Sequence, residues 1–147
     1  MKIGVRAHDY GKHSIEGLAS LLREEGYDGA QLALPKVFEE IDSYEDIRLS
    51  HIERIRRAFE KNRVEIPVMG CYMDLGNPDR SVREYAVETL KTCLLYAKEM
   101  GAGVVGTETA YPRLSREERA AWCPYMMDSL MPVSYTHLRA HETLANL

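Results

Sequence analysis

The sequence predicts an α/β fold: the N-terminal half (four βα units) of a TIM-type β/α barrel, with parallel strands and helices on the outer side. Three observations carry this. Strand-like segments begin near Lys2, Gly29, Ile66 and Gly103, at intervals of about 27, 37 and 37 residues, the length of one strand, one helix and two loops. The segments between them carry single apolar stripes at helical spacing, and this alternation predicts a parallel sheet with right-handed crossovers. The chain has 147 residues, whereas a closed barrel of eight such units takes roughly 250.

The elements follow in order. The first strand, Lys2 to Ala7, is short. Ser14 is expected as the N-cap of a helix whose apolar positions are Ile15, Leu18 and Leu22 and whose end is Gly26. Gly29 to Leu34 reads as the second strand, stopped by Pro35. A polar connection leads to a helix from Ser43 or Ser50 to Asn62, with Ile52, Ile55 and Phe59 as its buried stripe. The third strand is Ile66 to Met73. Asn77-Pro78-Asp79 opens a helix whose apolar face is Val82, Ala86, Leu90, Cys93, Ala97 and Met100, closed by Gly101. Ala102 to Thr107 is the fourth strand. Ser115 and Glu118 form a capping box for a last helix, expected to end near Leu130 where it meets Pro132.

Composition narrows the function classes. Hydrophobic residues make up 45% and charged residues 29% of the chain, as in ordinary globular domains and unlike disordered ones. A net charge of −4 provides no basic footprint, so nucleic acid is not expected as a partner. No apolar run approaches the ~18 residues that span a bilayer, so no membrane partner is expected. The N-terminus runs straight into a strand without a signal-peptide pattern, and a cytoplasmic location is expected. Cys71, Cys93 and Cys123 form no CxxC pair and are expected as reduced, buried thiols.

Alternation along the strands assigns the faces. The face of a parallel barrel that packs on helices must be apolar. Ile3, Val5 and Ala7 fit it, which turns Lys2, Gly4, Arg6 and His8 to the lumen side, with His8 near the mouth. Leu32 and Leu34 face out and Gln31 and Ala33 in; Val105 and Thr107 face out and Gly106 and Glu108 in. Arg6, His8, Gln31 and Glu108 are therefore expected to converge at the carboxyl ends of the strands, where barrel enzymes place their sites. A carboxylate there can act as acid, base or metal ligand. Each residue also has a structural role open to it. Arg6 and Glu108 could form a lumen ion pair, Gln31 could satisfy backbone groups, and His8 could be a solvated loop residue.

The run Gly70-Cys71-Tyr72-Met73-Asp74-Leu75-Gly76-Asn77-Pro78-Asp79, followed by Val104-Val105-Gly106-Thr107-Glu108-Thr109, resembles the sugar phosphate isomerase/epimerase family. That family lies within the xylose-isomerase-like barrel superfamily, which also contains endonuclease IV. The opening strand and Tyr27 to Leu32 fit the same pattern, and the resemblance covers about residues 1 to 131. It implies a divalent-metal enzyme (Mn, Mg, Zn or Co) that moves protons next to a sugar carbonyl, with a sugar as small-molecule substrate. Glu108 matches a glutamate of the fourth-strand motif and is the catalytic candidate. Arg6, His8, Gln31, Tyr72 and Asn77 are the substrate-binding candidates. Many relatives carry His at the position of Asn77; here the Asn is expected to cap the following helix. The resemblance places the metal shell on later strands, so no ligand is assigned here and none is expected to be bound by this chain alone.

Residues 132–147 form a separate segment. Ser134 to Thr143 resembles translated sequencing-adapter text, so the family domain is expected to occupy 1–131 and to be followed by a non-family tail. His137 and His141, four apart beside Glu142, would share a helix face, but no third ligand has matching spacing and no metal site is expected there. The leading expectation is thus a truncated sugar or sugar-phosphate isomerase/epimerase, inactive as written. The alternatives are an inositol-pathway isomerase or dehydratase of the same superfamily, and a non-catalytic half-barrel that assembles with a partner, including a homodimer through exposed strand edges. An endonuclease-IV-like role fits the charge and histidine count less well.

Overall fold

The computed structural model describes the backbone of residues 1–108 and 114–145, with side chains through residue 135. The strands are β1 (Gly4–Arg6), β2 (Gly29–Leu32), β3 (Glu65–Gly70) and β4 (Val104–Gly106). The helices are α1 (Ile15–Glu24), α2 (Leu34–Val37), α3 (Leu49–Asn62), α4 (Arg80–Met100) and α5 (Arg116–Ala145). The chain divides into two compact units, Met1–Cys71 with Tyr96–Gly106, and Tyr72–Leu95 with Thr107–Leu147.

The first unit holds the whole sheet. Its order is β1-β2-β3-β4, and all three pairings are parallel. In sequential order without reversal, the usual right hand of parallel crossovers puts α1 and α3, which connect β1 to β2 and β2 to β3, on one face; a doubly wound sheet would reverse direction instead. In agreement, α1 and α3 meet each other, through Arg54 of α3 on Glu16 of α1 and on Glu40 at 3.1 Å. The register slips between Gly29 and Gln31 against β3. Pro67 lies in that stretch of β3, and a residue with no N–H is tolerated at a bulge.

The core of this unit follows the predicted stripes. Ile15, Leu18 and Leu22 of α1 are fully buried, as are Ile52 and Ile55 of α3, and Phe59 is 1% exposed. Ser14 caps α1 by accepting the Gly17 N–H at 3.2 Å, and Gly26 follows its end at φ 86°. The strands are shorter than expected: β1 is Gly4–Arg6 instead of Lys2 to Ala7, β3 is Glu65–Gly70 instead of Ile66 to Met73, and β4 is Val104–Gly106 instead of Ala102 to Thr107. The second strand stops at Leu32, because Pro35 serves in the first turn of α2 rather than merely breaking a strand; proline there forfeits an N–H that had no helical partner anyway. Of the two helix starts expected, the later one holds to within a residue: α3 begins at Leu49, and Ser43 instead caps a short 3-10 turn, Tyr44–Asp46.

In the second unit, Asp79 rather than Asn77 caps α4: its Oδ1 accepts the Ser81 N–H at 2.8 Å, and Asn77 Oδ1 accepts the Asp79 N–H at 2.8 Å. Within this unit Ala86, Leu90 and Cys93 of α4 are buried, but Val82, in the first turn, is exposed, and Val87 is buried instead. The Ser115–Glu118 capping box forms in both directions, at 2.8 and 3.1 Å. α5 runs through Pro132 to Ala145 instead of stopping near Leu130. A helix-interior proline costs ~3 kcal/mol, and α5 carries two, Pro124 and Pro132, with regular helix on both sides of each. Arg83 stacks over the Tyr125 ring at 4.7 Å.

Cys71 and Cys93 are buried thiols as expected, whereas Cys123 is exposed on α5. Among the described residues no helix is long and apolar enough to cross a membrane.

Candidate functional site

The carboxyl ends of the strands in the first unit carry a small polar constellation. Arg6 is the last residue of β1, and the chain turns directly into a 3-10 segment, Ala7–Tyr10. That turn brings Asp9 back beneath the guanidinium, which binds it with both arms, Nε to Oδ2 at 3.0 Å and a terminal nitrogen to Oδ1 at 2.8 Å. The bidentate bond holds the Asp9 carboxyl below the usual carboxylate range. Ala7 is fully buried and anchors the turn.

His8 sits in the same turn, half-buried at the end of β1. Burial pushes its imidazole below the usual histidine range, and the positive charges of Arg6 and Lys36 push the same way against the weaker pull of Asp9. At neutral pH the ring is therefore neutral, with one nitrogen to accept and one to donate. Lys36 comes from α2, which follows β2 within two residues. Gln31 is half-buried on β2 and pairs with Arg6 of β1 in register. Arg6 and Gln31 are thus neighbours across two strands, as the alternation predicted. Ala33, expected on the open face, is fully buried, because it leads into α2 rather than continuing the strand. Ile3, expected on the covered face, is 50% exposed; it precedes the first residue of an edge strand. At the end of β3 the Tyr44 hydroxyl donates to the Gly70 carbonyl at 3.3 Å.

The second unit carries the other candidates. Glu108 is exposed, two residues beyond the end of β4. Beside it the Thr107 hydroxyl oxygen is buried with no hydrogen-bond partner among the described residues. Asn77 is tied to its own loop: its side-chain nitrogen donates to Asp74 Oδ2 at 2.7 Å, and Arg83 donates to its carbonyl at 2.6 Å. Tyr72 is half-buried in the segment after β3. The expected pairing of Glu108 with Arg6 joins residues of different units and remains a proposal. Thr109 of the fourth-strand motif, and the side chains of His137, His141 and Glu142, lie outside the described residues.

Sequence reasoning missed Asp9, Lys36 and Tyr44. For Asp9 a signal existed: an acid three residues after Arg6 meets it if the chain turns tightly. Lys36 could not be placed while Leu34 was read as strand. As to metal, the donors do not fit: no three His, Cys, Asp or Glu side chains among the described residues gather closely enough to hold an ion.

The comparisons with known proteins bear on the family and the fold. Residues 19–135 match the family model of the xylose isomerase-like TIM barrel. No curated protein matches the sequence significantly. Among solved structures, a D-psicose 3-epimerase studied in the presence of D-fructose superposes with TM-score 0.70 at 12% identity, over 92% of this chain and 48% of its own. The 3-keto-D-glucoside 4-epimerase YcjR from E. coli gives 0.67 at 17% identity, over 95% and 52%. The probable 3-DHS dehydratase AsbF from Bacillus anthracis gives 0.64 at 14% identity, over 93% and 50%. This chain therefore spans about half the length of the solved structures it resembles. It belongs to the xylose isomerase-like TIM barrel family.

Proposed function

We propose that this member of the xylose isomerase-like TIM barrel family is the N-terminal half of a cytoplasmic sugar or sugar-phosphate isomerase/epimerase of carbohydrate metabolism. The observation that carries the proposal is a four-stranded parallel sheet in sequential order whose carboxyl ends present Arg6, His8 and Gln31. Barrel enzymes build their sites at that end. The epimerase character of the solved neighbours supports the reaction class, and the dehydratase neighbour keeps an inositol-pathway isomerase or dehydratase as the second reading.

In the whole protein, Glu108 would carry the proton removed next to the carbonyl and return it to the adjacent carbon or the opposite face. His8, neutral at working pH and with its Nδ1 buried, would exchange one hydrogen bond with a sugar hydroxyl. Gln31, Tyr72 and Asn77 would hold further hydroxyls. Arg6, held on Asp9 by Nε and a terminal nitrogen, would bring its positive charge to the strand ends beside a substrate oxygen. A divalent metal, Mn, Mg, Zn or Co, would polarise the carbonyl in the parent, held by residues of later strands. Residues 132–147 are proposed not to belong to the family domain of 1–131, and the chain as written is proposed to be inactive.

The test uses the parent gene read past codon 131, carrying Glu108→Gln. Loss of about 10²–10⁴ in kcat on a keto-sugar, with KM changed little, is the expected result. A variant with unchanged kcat removes Glu108 from the chemistry.

A further inference from the structure

We infer that Asp9 is a positioning residue of this site: it holds the Arg6 guanidinium in one orientation at the carboxyl end of β1, so that a substrate oxygen meets a charge already aimed. The inference rests on the role of Arg6 proposed above.

The local chain is built for this contact. β1 ends at Arg6, where the backbone is still extended, at φ −84° and ψ 98°. It then winds into the 3-10 segment Ala7–Tyr10, and in that geometry residues three apart lie one above the other. Asp9 is three residues beyond Arg6. Its two carboxylate oxygens accept from Nε at 3.0 Å and from a terminal nitrogen at 2.8 Å. Ala7, fully buried, pins the start of the turn. Gly11 closes it at φ 79°, with its N–H on the His8 carbonyl at 3.4 Å. Glycine takes that conformation without steric cost.

Both side chains of the pair are more than half exposed. Ion pairs so exposed add little to stability. What this one fixes is direction. An arginine side chain is rich in rotamers, and a single hydrogen bond would let the guanidinium plane swing. Two parallel bonds to one carboxylate set the plane as well as the place. Freedom removed before the substrate arrives is not lost again on binding, and a group held in line acts more strongly than one that must find its position. Gln31 stands beside Arg6 in register on β2, and His8 lies in the same turn. The fork therefore sits among the residues proposed to meet the sugar.

The experiment has two arms. In the 147-residue chain, NMR follows hydrogen exchange of the Arg6 Nε–H in wild type, Asp9→Asn and Asp9→Glu, with circular dichroism checking that the helix content is kept. Exchange about 10-fold faster in Asp9→Asn, and partly restored in Asp9→Glu, is expected. In the parent protein, kcat and KM on a keto-sugar are measured for Asp9→Asn, Asp9→Glu, Arg6→Ala and Asp9→Asn combined with Arg6→Ala. Asp9→Asn should raise KM about 10-fold with kcat changed less, and should add nothing once Arg6 is alanine. Asp9→Glu should recover part of the loss. Equal exchange in wild type and Asp9→Asn overturns the inference. So does an Asp9→Asn effect that adds in full to that of Arg6→Ala, since Asp9 would then act by itself. Unchanged kinetics in Asp9→Asn, beside a loss in Arg6→Ala, overturn it too while leaving the proposed reaction standing. A wild-type parent inert on keto-sugars contradicts the proposed reaction, and the inference falls with it.

Discussion

Ile15, Leu18, Leu22, Ile52, Ile55 and Phe59 of the sheet-bearing unit are all between 0% and 1% exposed, whereas in the helical unit Met127, Met131 and Tyr135 are 54–62% exposed at successive steps of four along α5. Both sets are apolar stripes at helical spacing. The first lies in a unit with four paired strands; the second lies in a unit where no strand is described. A stripe in a sequence therefore says that a helix has an apolar face. Whether that face is covered depends on an element elsewhere in the chain or in a partner.

The largest expected effect comes from breaking the covered stripe. Phe59→Ala should lower the unfolding free energy by about 3–5 kcal/mol, enough to unfold a marginal domain. Met127→Ala, at an exposed position, should stay within about 0.5 kcal/mol. Urea unfolding measures both, and equal losses would erase the distinction between the two units.

Helix caps sharpen the comparison at smaller scale. Ser14→Ala removes the cap of α1, a helix with four fully buried residues, and should cost about 1 kcal/mol of global stability. Ser115→Ala removes the matching cap of α5. Its effect should be confined to amide exchange in the first turn of α5, without a shift of the global midpoint.

A smaller effect is a pH dependence confined to the sheet-bearing unit. The His8 pKa is lowered on folding, so between its folded value and 6.5 the unfolded chain binds more protons than the folded one. Stability from this residue is fully present above about 6.5 and is lost as pH falls through the folded pKa. His8→Gln should flatten the slope of stability against pH in that window and leave stability at pH 8 nearly unchanged. An identical slope in the variant would assign the dependence to other groups.

Much of the fold was legible because period and punctuation agreed. Ser14, the Ile15–Leu18–Leu22 stripe and Gly26 point to one helix, and the Ser115–Glu118 pair to the start of another. The misplaced boundaries fall where one residue carries two meanings. Pro35 ends a strand and also suits a first helical turn, and Asn77 and Asp79 are both cap residues two apart. Pro132 was expected to stop α5 and does not. The site was legible as a place more than as a set of contacts. Alternation put Arg6 beside Gln31, and the structure pairs them. The Asp9 fork and the charges around His8 depend on a 3-10 turn that no periodicity announces.

The account's central claim is that this chain is one half of a barrel whose chemistry needs the other half. The direct measurement is turnover of a keto-sugar in the presence of manganese, by the 147-residue chain and by the same chain continued past residue 131 through the native gene. The account predicts no turnover by the first and epimerisation or isomerisation by the second. Turnover by the 147-residue chain, or inertness of both, would contradict it.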